Sequence, residues 1–161
     1  MRGKTTQTQA PAAEVSLRII LVQPPTGVEF RLQQGRADLI APTRTTPQEI
    51  QFDFSLRLGV PRGDRPNFVG PAAQGPPASR FVYVNSGRRA GQQDVYWDRR
   101  AKVHLVGIKN ADVRAALEDD SVVLEARIAG TAGDGGPACA TVPLLGGAWR
   151  LVPRGSRLTR A

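Results

Sequence analysis

Hydrophobic and polar residues alternate in short runs along most of the chain, as in half-buried strands whose successive side chains point to opposite faces. In the clearest run, residues 50–58, every apolar side chain falls on one face and every polar one on the other. Turns rich in proline or glycine, such as residues 24–27, separate the runs. Together they predict strands over residues 15–22, 28–32, 50–58, 81–84, 101–108, 122–128, 138–142 and 148–152.

One segment, residues 111–119, has the spacing of a helix instead. Asn110 is placed to cap its first turn, and an apolar stripe is formed by Val113, Ala116 and Leu117. Because no long helix separates the strands, a doubly wound parallel sheet is disfavoured. The pattern therefore predicts a mainly β fold, an antiparallel sandwich or small barrel of about eight strands with one short helix.

These elements are predicted to form one domain over residues 14–152, since a chain of 161 residues suits a single hydrophobic core. Residues 1–13 form a polar tail that is predicted to be disordered, and residues 153–161 form a basic tail. Two polar stretches, 33–48 and 85–98, are predicted to be loops.

The segment from Asn67 to Arg80 is rich in proline and glycine, which predicts a rigid loop because each proline fixes its own φ and restricts the preceding residue. Rigid loops on a scaffold often carry binding residues. We expect this loop to form one wall of a ligand site, with an amide from Gln74 and a guanidinium from Arg80. Tyr83 or Trp97 would supply an apolar surface. The alternative is that Gln74 and Arg80 only satisfy carbonyls of their own loop.

The chain carries a net charge of +8, from 22 Lys and Arg against 14 Asp and Glu. Such an excess attracts polyanions, but the basic residues are spread along the sequence without a recognised binding motif, so nucleic acid is disfavoured as a partner. A nucleic-acid-binding protein would need one continuous basic face with exposed Tyr96 and Trp97. The basic tail supports no functional conclusion, because Leu151–Ser156 matches a thrombin cleavage sequence used in expression vectors. The tail is either native or derived from a vector.

Nothing in the sequence predicts a membrane protein or a secreted one. The longest uncharged apolar run, Ile19–Val22, is far too short to cross a bilayer, and the first residues lack the apolar segment of a signal peptide. The single cysteine, Cys139, excludes an internal disulfide. We therefore expect a cytoplasmic protein that does not contact a membrane.

Metal and cofactor sites are not predicted. His104 is the only histidine, and one His with one Cys is too few for a familiar zinc site. Cys139 could act as a nucleophile only if the fold brings His104 and Asp134 beside it; a small buried hydrophobe is the simpler interpretation. The glycine-rich segment 130–137 lacks the Lys-Ser/Thr pair and the following helix of a phosphate loop, so it is predicted to be a hairpin turn.

Three functional hypotheses remain, of which nucleic-acid binding, described above, is the least favoured. The leading one is a binding module for a small molecule or a partner protein that uses the 67–80 loop. The alternative is an enzyme in which Arg99, Arg100 or Lys102 acts with His104 at a sheet edge, which requires these side chains to converge on a pocket.

An ordered series of short motifs runs through the chain. Gly70-Pro71 and Gln74-Gly75 precede Arg80-Phe81-Val82-Tyr83, and they are followed by residues 99–102, residues 136–142 and Trp149. The series resembles that of a bacterial family of unknown function, number 5990 among the domains of unknown function, over about Leu17 to Val152. One departure is residues 76–79, where the family has more glycine. The resemblance implies a compact single domain and no particular activity.

Overall fold

The computed structural model describes residues 13–35, 38–60, 66–69, 80–90, 94–130 and 140–155. The prediction of a mainly β fold with one short helix is confirmed, since these residues form ten strands and one helix. In chain order the elements are β1 (Glu14–Val22), β2 (Glu29–Gln33), β3 (Arg44–Thr45), β4 (Glu49–Leu58), β5 (Phe68–Val69), β6 (Phe81–Ala90), β7 (Asp94–His104), α1 (Asn110–Glu118), β8 (Val122–Ala129), β9 (Ala140–Thr141) and β10 (Arg150–Pro153).

The strands form two sheets. The six-stranded sheet has the order β10-β8-β1-β4-β3, with β5 also paired to β4, and the four-stranded sheet has the order β2-β6-β7-β9. Most neighbours are antiparallel, but β1 pairs with β8 and β7 pairs with β9 in parallel. Both sheets are therefore mixed, because partners that lie far apart in sequence are not bound to the antiparallel direction that a short hairpin imposes. Among the described strands neither sheet closes into a barrel.

The inward-facing side chains of both sheets form one hydrophobic core, as in a two-layer sandwich. Strand β1 lies at its centre, between β4 and β8, and most of its residues are buried on both faces. Helix α1 packs on β1 and β8 through Val113 and Ala116. The fully buried core side chains include Leu17, Ile19, Leu32, Phe52, Leu56, Val82, Val84, Leu124 and Ile128.

Two details of the predicted helix are wrong. Asn110 is the first residue of α1 and not its cap; the cap position is occupied by Lys109, whose side chain makes no capping hydrogen bond. Leu117 is 41% exposed, so the apolar stripe consists of Val113 and Ala116 alone. The register of a two-turn helix on a sheet is set by packing, which outweighs the small preference of a cap residue.

The predicted polar loop over 85–98 is wrong. Strands β6 and β7 pair from Phe81 with His104 to Ala90 with Asp94 and form one long hairpin. The error arises because this hairpin carries polar residues at most positions, so its sequence lacks the alternation that marks a strand with one buried face. Strand β7 ends at His104, earlier than the predicted end at residue 108.

The C-terminal strand extends slightly beyond the predicted domain boundary. Pro153 pairs with Val122, and the backbone N–H of Arg154 donates to the carbonyl of Ser121 at 2.7 Å. Residues 153 and 154 of the predicted basic tail are thus part of the fold, while residues 156–161 and the tail at 1–12 lie outside the described residues. No helix in the described ranges is both long and apolar enough to cross a membrane.

Candidate functional site

Basic and aromatic side chains gather on the outer face of the four-stranded sheet. Leu32, Val84 and Ala101 point into the core, so Arg31, Tyr83 and Lys102, one position away along the same strands, point outwards. A bulge at Arg100 reverses the alternation in β7 and brings Arg99 and Trp97 to the same outer side. This arrangement brings together side chains that are up to 71 residues apart in sequence. We call this surface the basic–aromatic face; it consists of Arg31, Phe81, Tyr83, Trp97, Arg99 and Lys102.

Each aromatic ring of this face has a cation over it. The Arg99 guanidinium carbon lies 4.0 Å from the centroid of the Tyr83 ring. The Lys102 ammonium lies 4.5 Å from the Phe81 ring, and the corresponding distance from Arg31 to Trp97 is 4.9 Å. All three distances are within the range of an attractive cation–π interaction, about 6 Å. The stacks hold three cations on one surface without neutralising them.

Trp97 can lie flat across the sheet because its partner on β6 is Gly87. A Cβ atom at Gly87 would come within 2.8 Å of Cζ3 of Trp97 and 3.1 Å of Cγ1 of Val95. Any other residue at this position would therefore push the indole away from the strand and out from under Arg31.

The guanidinium of Arg99 is fixed in place before any ligand binds. Its Nη2 atom donates to the carbonyl of Gly35 at 2.5 Å and to Oε1 of Gln33 at 3.3 Å, while its plane rests on Tyr83. The residue is nevertheless exposed. Both hydrogen bonds found for Arg99 among the described residues use the same nitrogen, so its other N–H groups are available within this part of the chain to bind an acceptor from solvent.

Asn85 lies in the same cross-strand row as Arg31 and Arg99. It is 2% exposed, and its Nδ2 atom has no hydrogen-bond partner among the residues that the structure describes. Leaving a buried donor unsatisfied costs about 1–3 kcal/mol, so this amide has a strong tendency to bind an acceptor. The unsatisfied donor lies between two of the three cations of the face.

The electrostatic balance of this face is positive. Arg31 is paired weakly with Glu29, at 3.7 Å, and also donates to the carbonyl of Phe30. Within the described ranges, no ion pair to a carboxylate is found for Arg99 or Lys102. An anion approaching the centre of the sheet would therefore meet two cations that, among the described residues, are paired with no carboxylate.

Of the four predicted ligand-binding residues, two lie on the basic–aromatic face, one lies at the start of β6 and one is outside the described residues. Tyr83 and Trp97 lie on the basic–aromatic face, while Gln74 lies outside the described residues. Arg80 is exposed at the start of β6, and its carbonyl accepts a hydrogen bond from the backbone N–H of Leu105 at 2.9 Å. Arg31 was missed from the sequence, because only the pairing of β2 with β6 brings it beside the aromatic residues.

The residues of the alternative enzyme hypothesis all lie on β7, where Arg99 and Lys102 share the basic–aromatic face. The His104 ring packs against Phe81, with 4.8 Å between centroids. Arg100 is the extra residue of a bulge in β7, and it binds Oγ of Ser86 at 3.1 Å and the carboxylate of Asp98 at 3.6 Å. Cys139 and Asp134 lie outside the described residues.

The six-stranded sheet carries charges on its outer face as well, but there they neutralise one another. Arg18 of β1 is 4% exposed and lies between Asp53 of β4, at 2.8 Å, and Glu125 of β8, at 3.6 Å. Its Nη2 atom also donates to the carbonyl of Arg154 at 2.9 Å. The buried arginine pairs with both carboxylates, so these charges compensate one another within the protein.

Asp53 accepts further hydrogen bonds from Thr43 and Gln51, each at 2.6 Å. Burial of this carboxyl tends to raise its pKa, but the three hydrogen bonds and the charge of Arg18 outweigh burial and lower the pKa below its ordinary value. Glu125 is shared with Arg127, at 3.3 Å, and Arg127 also pairs with Glu49. A cavity of about 290 Å³ beside this cluster is lined partly by Glu125 and Arg127, which are paired with each other.

Comparison with known proteins identifies a family and adds no activity. In the described part of the chain, no group of three or more His, Cys, Asp or Glu side chains is placed to hold a metal ion. No curated protein and no solved structure matches the chain. One family of unknown function, DUF5990, matches residues 15–152, which is most of the sequence. The chain therefore belongs to the DUF5990 family.

Proposed function

We propose that this protein is a binding module whose ligand site is the basic–aromatic face, and that its ligand is an anion that also carries planar groups. The observation that supports this most strongly is the set of three cation–aromatic stacks on adjacent rows of one sheet. Cations give affinity for phosphate or carboxylate, and aromatic rings give affinity for planar groups.

The anionic part of the ligand is assigned from Arg99 and Lys102. Arg99 is held by Gly35 and Gln33, so little side-chain entropy is lost when its free N–H groups bind an anion. Lys102 lies one row further along the same sheet and adds a second charge. Phosphate suits this pair better than a single carboxylate, because its several oxygens can bind the guanidinium of Arg99 and the ammonium of Lys102 at the same time.

The planar part of the ligand is assigned from the stacks themselves. A guanidinium that rests on Tyr83 with one face presents its other face to solvent, where a flat ring can stack. Trp97 is only partly covered and offers a second surface. A ligand with both a phosphate and a heteroaromatic ring matches this surface.

This proposal keeps Tyr83 and Trp97 as binding residues and moves the centre of the site from the 67–80 loop to the sheet. Arg80 stays a candidate at the margin, because it directly precedes Phe81. The leading hypothesis of a binding module is thus retained with a different set of contacts.

The test is a titration with adenosine diphosphate followed by the two indole N–H signals in a ¹H–¹⁵N spectrum. Trp97 lies on the proposed site, whereas Trp149 is 5% exposed in the core and serves as an internal control. We expect the Trp97 signal to shift and the Trp149 signal to stay. Adenosine, which lacks phosphate, and pyrophosphate, which lacks the ring, should each bind more weakly than adenosine diphosphate.

Arg99→Gln should weaken adenosine diphosphate binding by about tenfold or more, the value of one charged hydrogen bond. The matched control is Arg114→Gln, which removes the same charge from an exposed position on α1, on the other sheet. Equal losses in the two variants, or no shift of Trp97 at millimolar ligand, would refute the proposal.

A further inference from the structure

The basic–aromatic face is longer than a single nucleotide needs. From Gly87, opposite Trp97, to Phe81, β6 advances six residues, which is about 20 Å at about 3.3 Å per residue. Sites for small molecules are usually concave and enclose most of the ligand. Here the cations and rings are instead spaced along an open sheet, with Arg99 exposed at the centre.

We infer that the ligand of this face is single-stranded nucleic acid, RNA or DNA, bound along β7 with its bases against the stacks and its phosphates at Arg99 and Lys102. The inference rests on the proposed function and names its ligand class. Single strands combine a regularly repeated phosphate with exposed flat bases, and binding surfaces for them combine a positive groove with aromatic platforms. A duplex keeps its bases stacked inside and would leave the aromatic rings unused.

Folding removes one objection that the sequence raises, the scatter of the basic residues. The basic residues are scattered along the chain, but the pairing of β2, β6 and β7 collects Arg31, Arg99 and Lys102 on one surface. Trp97 lies on that surface, while Tyr96, 54% exposed, points to the other side of β7. The buried amide of Asn85, whose Nδ2 has no partner among the described residues, adds a hydrogen-bond donor in the row of Arg31 and Arg99.

The experiment measures fluorescence anisotropy with labelled oligo-dT and oligo-U of about 12 nucleotides, within the range of known single-strand sites. A duplex of the same length and unlabelled adenosine diphosphate are the comparisons. We expect either single strand to bind more tightly than the duplex and than the mononucleotide. For about three phosphate contacts, the logarithm of the affinity should fall with the logarithm of salt concentration with a slope of about −2.

Two kinds of variant separate stacking from charge. Tyr83→Leu removes a ring without changing charge and should weaken single-strand binding between about fivefold and about a hundredfold. Arg99→Gln and Lys102→Gln should each make the salt slope shallower by about 0.7, while Arg114→Gln should leave it nearly unchanged. Because the two charge variants alter exposed or half-exposed positions, they remain informative even if Tyr83→Leu folds poorly.

The outcomes are distinguishable. If adenosine diphosphate binds through Arg99 but the oligonucleotide binds no more tightly, the inference fails and the proposed function stands. If the duplex binds as well as the single strand and Tyr83→Leu has no effect, the attraction is purely electrostatic and the inference fails. If neither the mononucleotide nor the oligonucleotides bind, both fail.

Discussion

Replacing Arg18 with methionine tests how the six-stranded sheet tolerates a buried charge. The Arg18 side chain is 5% exposed and contacts Asp53, Glu125 and the carbonyl of Arg154. Methionine keeps much of the length of the side chain and removes the guanidinium, so the change acts on the charge more than on packing. Two carboxylates then face a gap that no longer contains a cation.

Removing one partner of a buried ion pair costs about 3–5 kcal/mol. The lower end applies here, because Asp53 keeps its hydrogen bonds from Thr43 and Gln51 and Glu125 keeps its contact with Arg127. We therefore expect a loss of about 3 kcal/mol in the free energy of unfolding. For a chain of this size that corresponds to a fall of about 6–12 °C in Tm.

The assay is urea unfolding of Arg18→Met beside Arg44→Met, an exposed arginine on the edge strand of the same sheet. The control should change stability by no more than about 0.5 kcal/mol. Adding Asp53→Asn to Arg18→Met should recover part of the loss, since it removes one of the two uncompensated carboxylates. If Arg18→Met is as stable as the control, the ion cluster does not stabilise the sheet and the reasoning is wrong.

Three further changes follow from individual contacts. The pKa of Asp53 is lowered in the folded state, so its contribution to the free energy of unfolding is present above its unfolded-state pKa of about 3.9 and is lost as the pH falls through the folded-state value. Asp53→Asn should therefore destabilise the protein near neutral pH, and urea unfolding should show the difference in stability between variant and parent closing in acid. Gly87→Ala should displace Trp97, seen as a shifted indole N–H signal and weaker adenosine diphosphate binding, and an unshifted signal would contradict the predicted clash. Trp149→Phe removes the hydrogen bond from Nε1 to the carbonyl of His104 and should cost about 1–3 kcal/mol in thermal unfolding, whereas a neutral result would show that another donor replaces it.

The strands that the sequence predicted correctly are those with one face in the core. Residues 50–58 and 122–128 alternate because the sheet alternates, and the structure has β4 and β8 at nearly these positions. The hairpin of β6 and β7 was missed in its outer half, where polar residues occupy most positions. Alternation of hydrophobic and polar residues indicates a strand with one buried face, so a strand that is polar on both faces does not show this alternation.

The candidate site was only partly predictable for a related reason. Tyr83 and Trp97 could be selected as aromatic residues next to polar segments. Arg31 could not, because its position beside Trp97 depends on the pairing of β2 with β6 across more than 50 residues of chain. Sheet order and strand direction are set by the packing of the whole core, which local patterns do not contain.

The two outer faces of the sandwich use arginine in opposite ways, and the difference supports the assignment of function. On the six-stranded sheet Arg18 is buried between carboxylates, so its charge is neutralised inside the protein. On the four-stranded sheet Arg99 rests on an aromatic ring, which orients the guanidinium without neutralising it. An exposed stack of this kind contributes only about 0.5–1 kcal/mol to stability. It does not compensate the positive charge of the guanidinium, which therefore still attracts an anionic ligand. Loss of Arg18 should therefore lower stability, and loss of Arg99 should lower binding in a protein that is almost as stable as before.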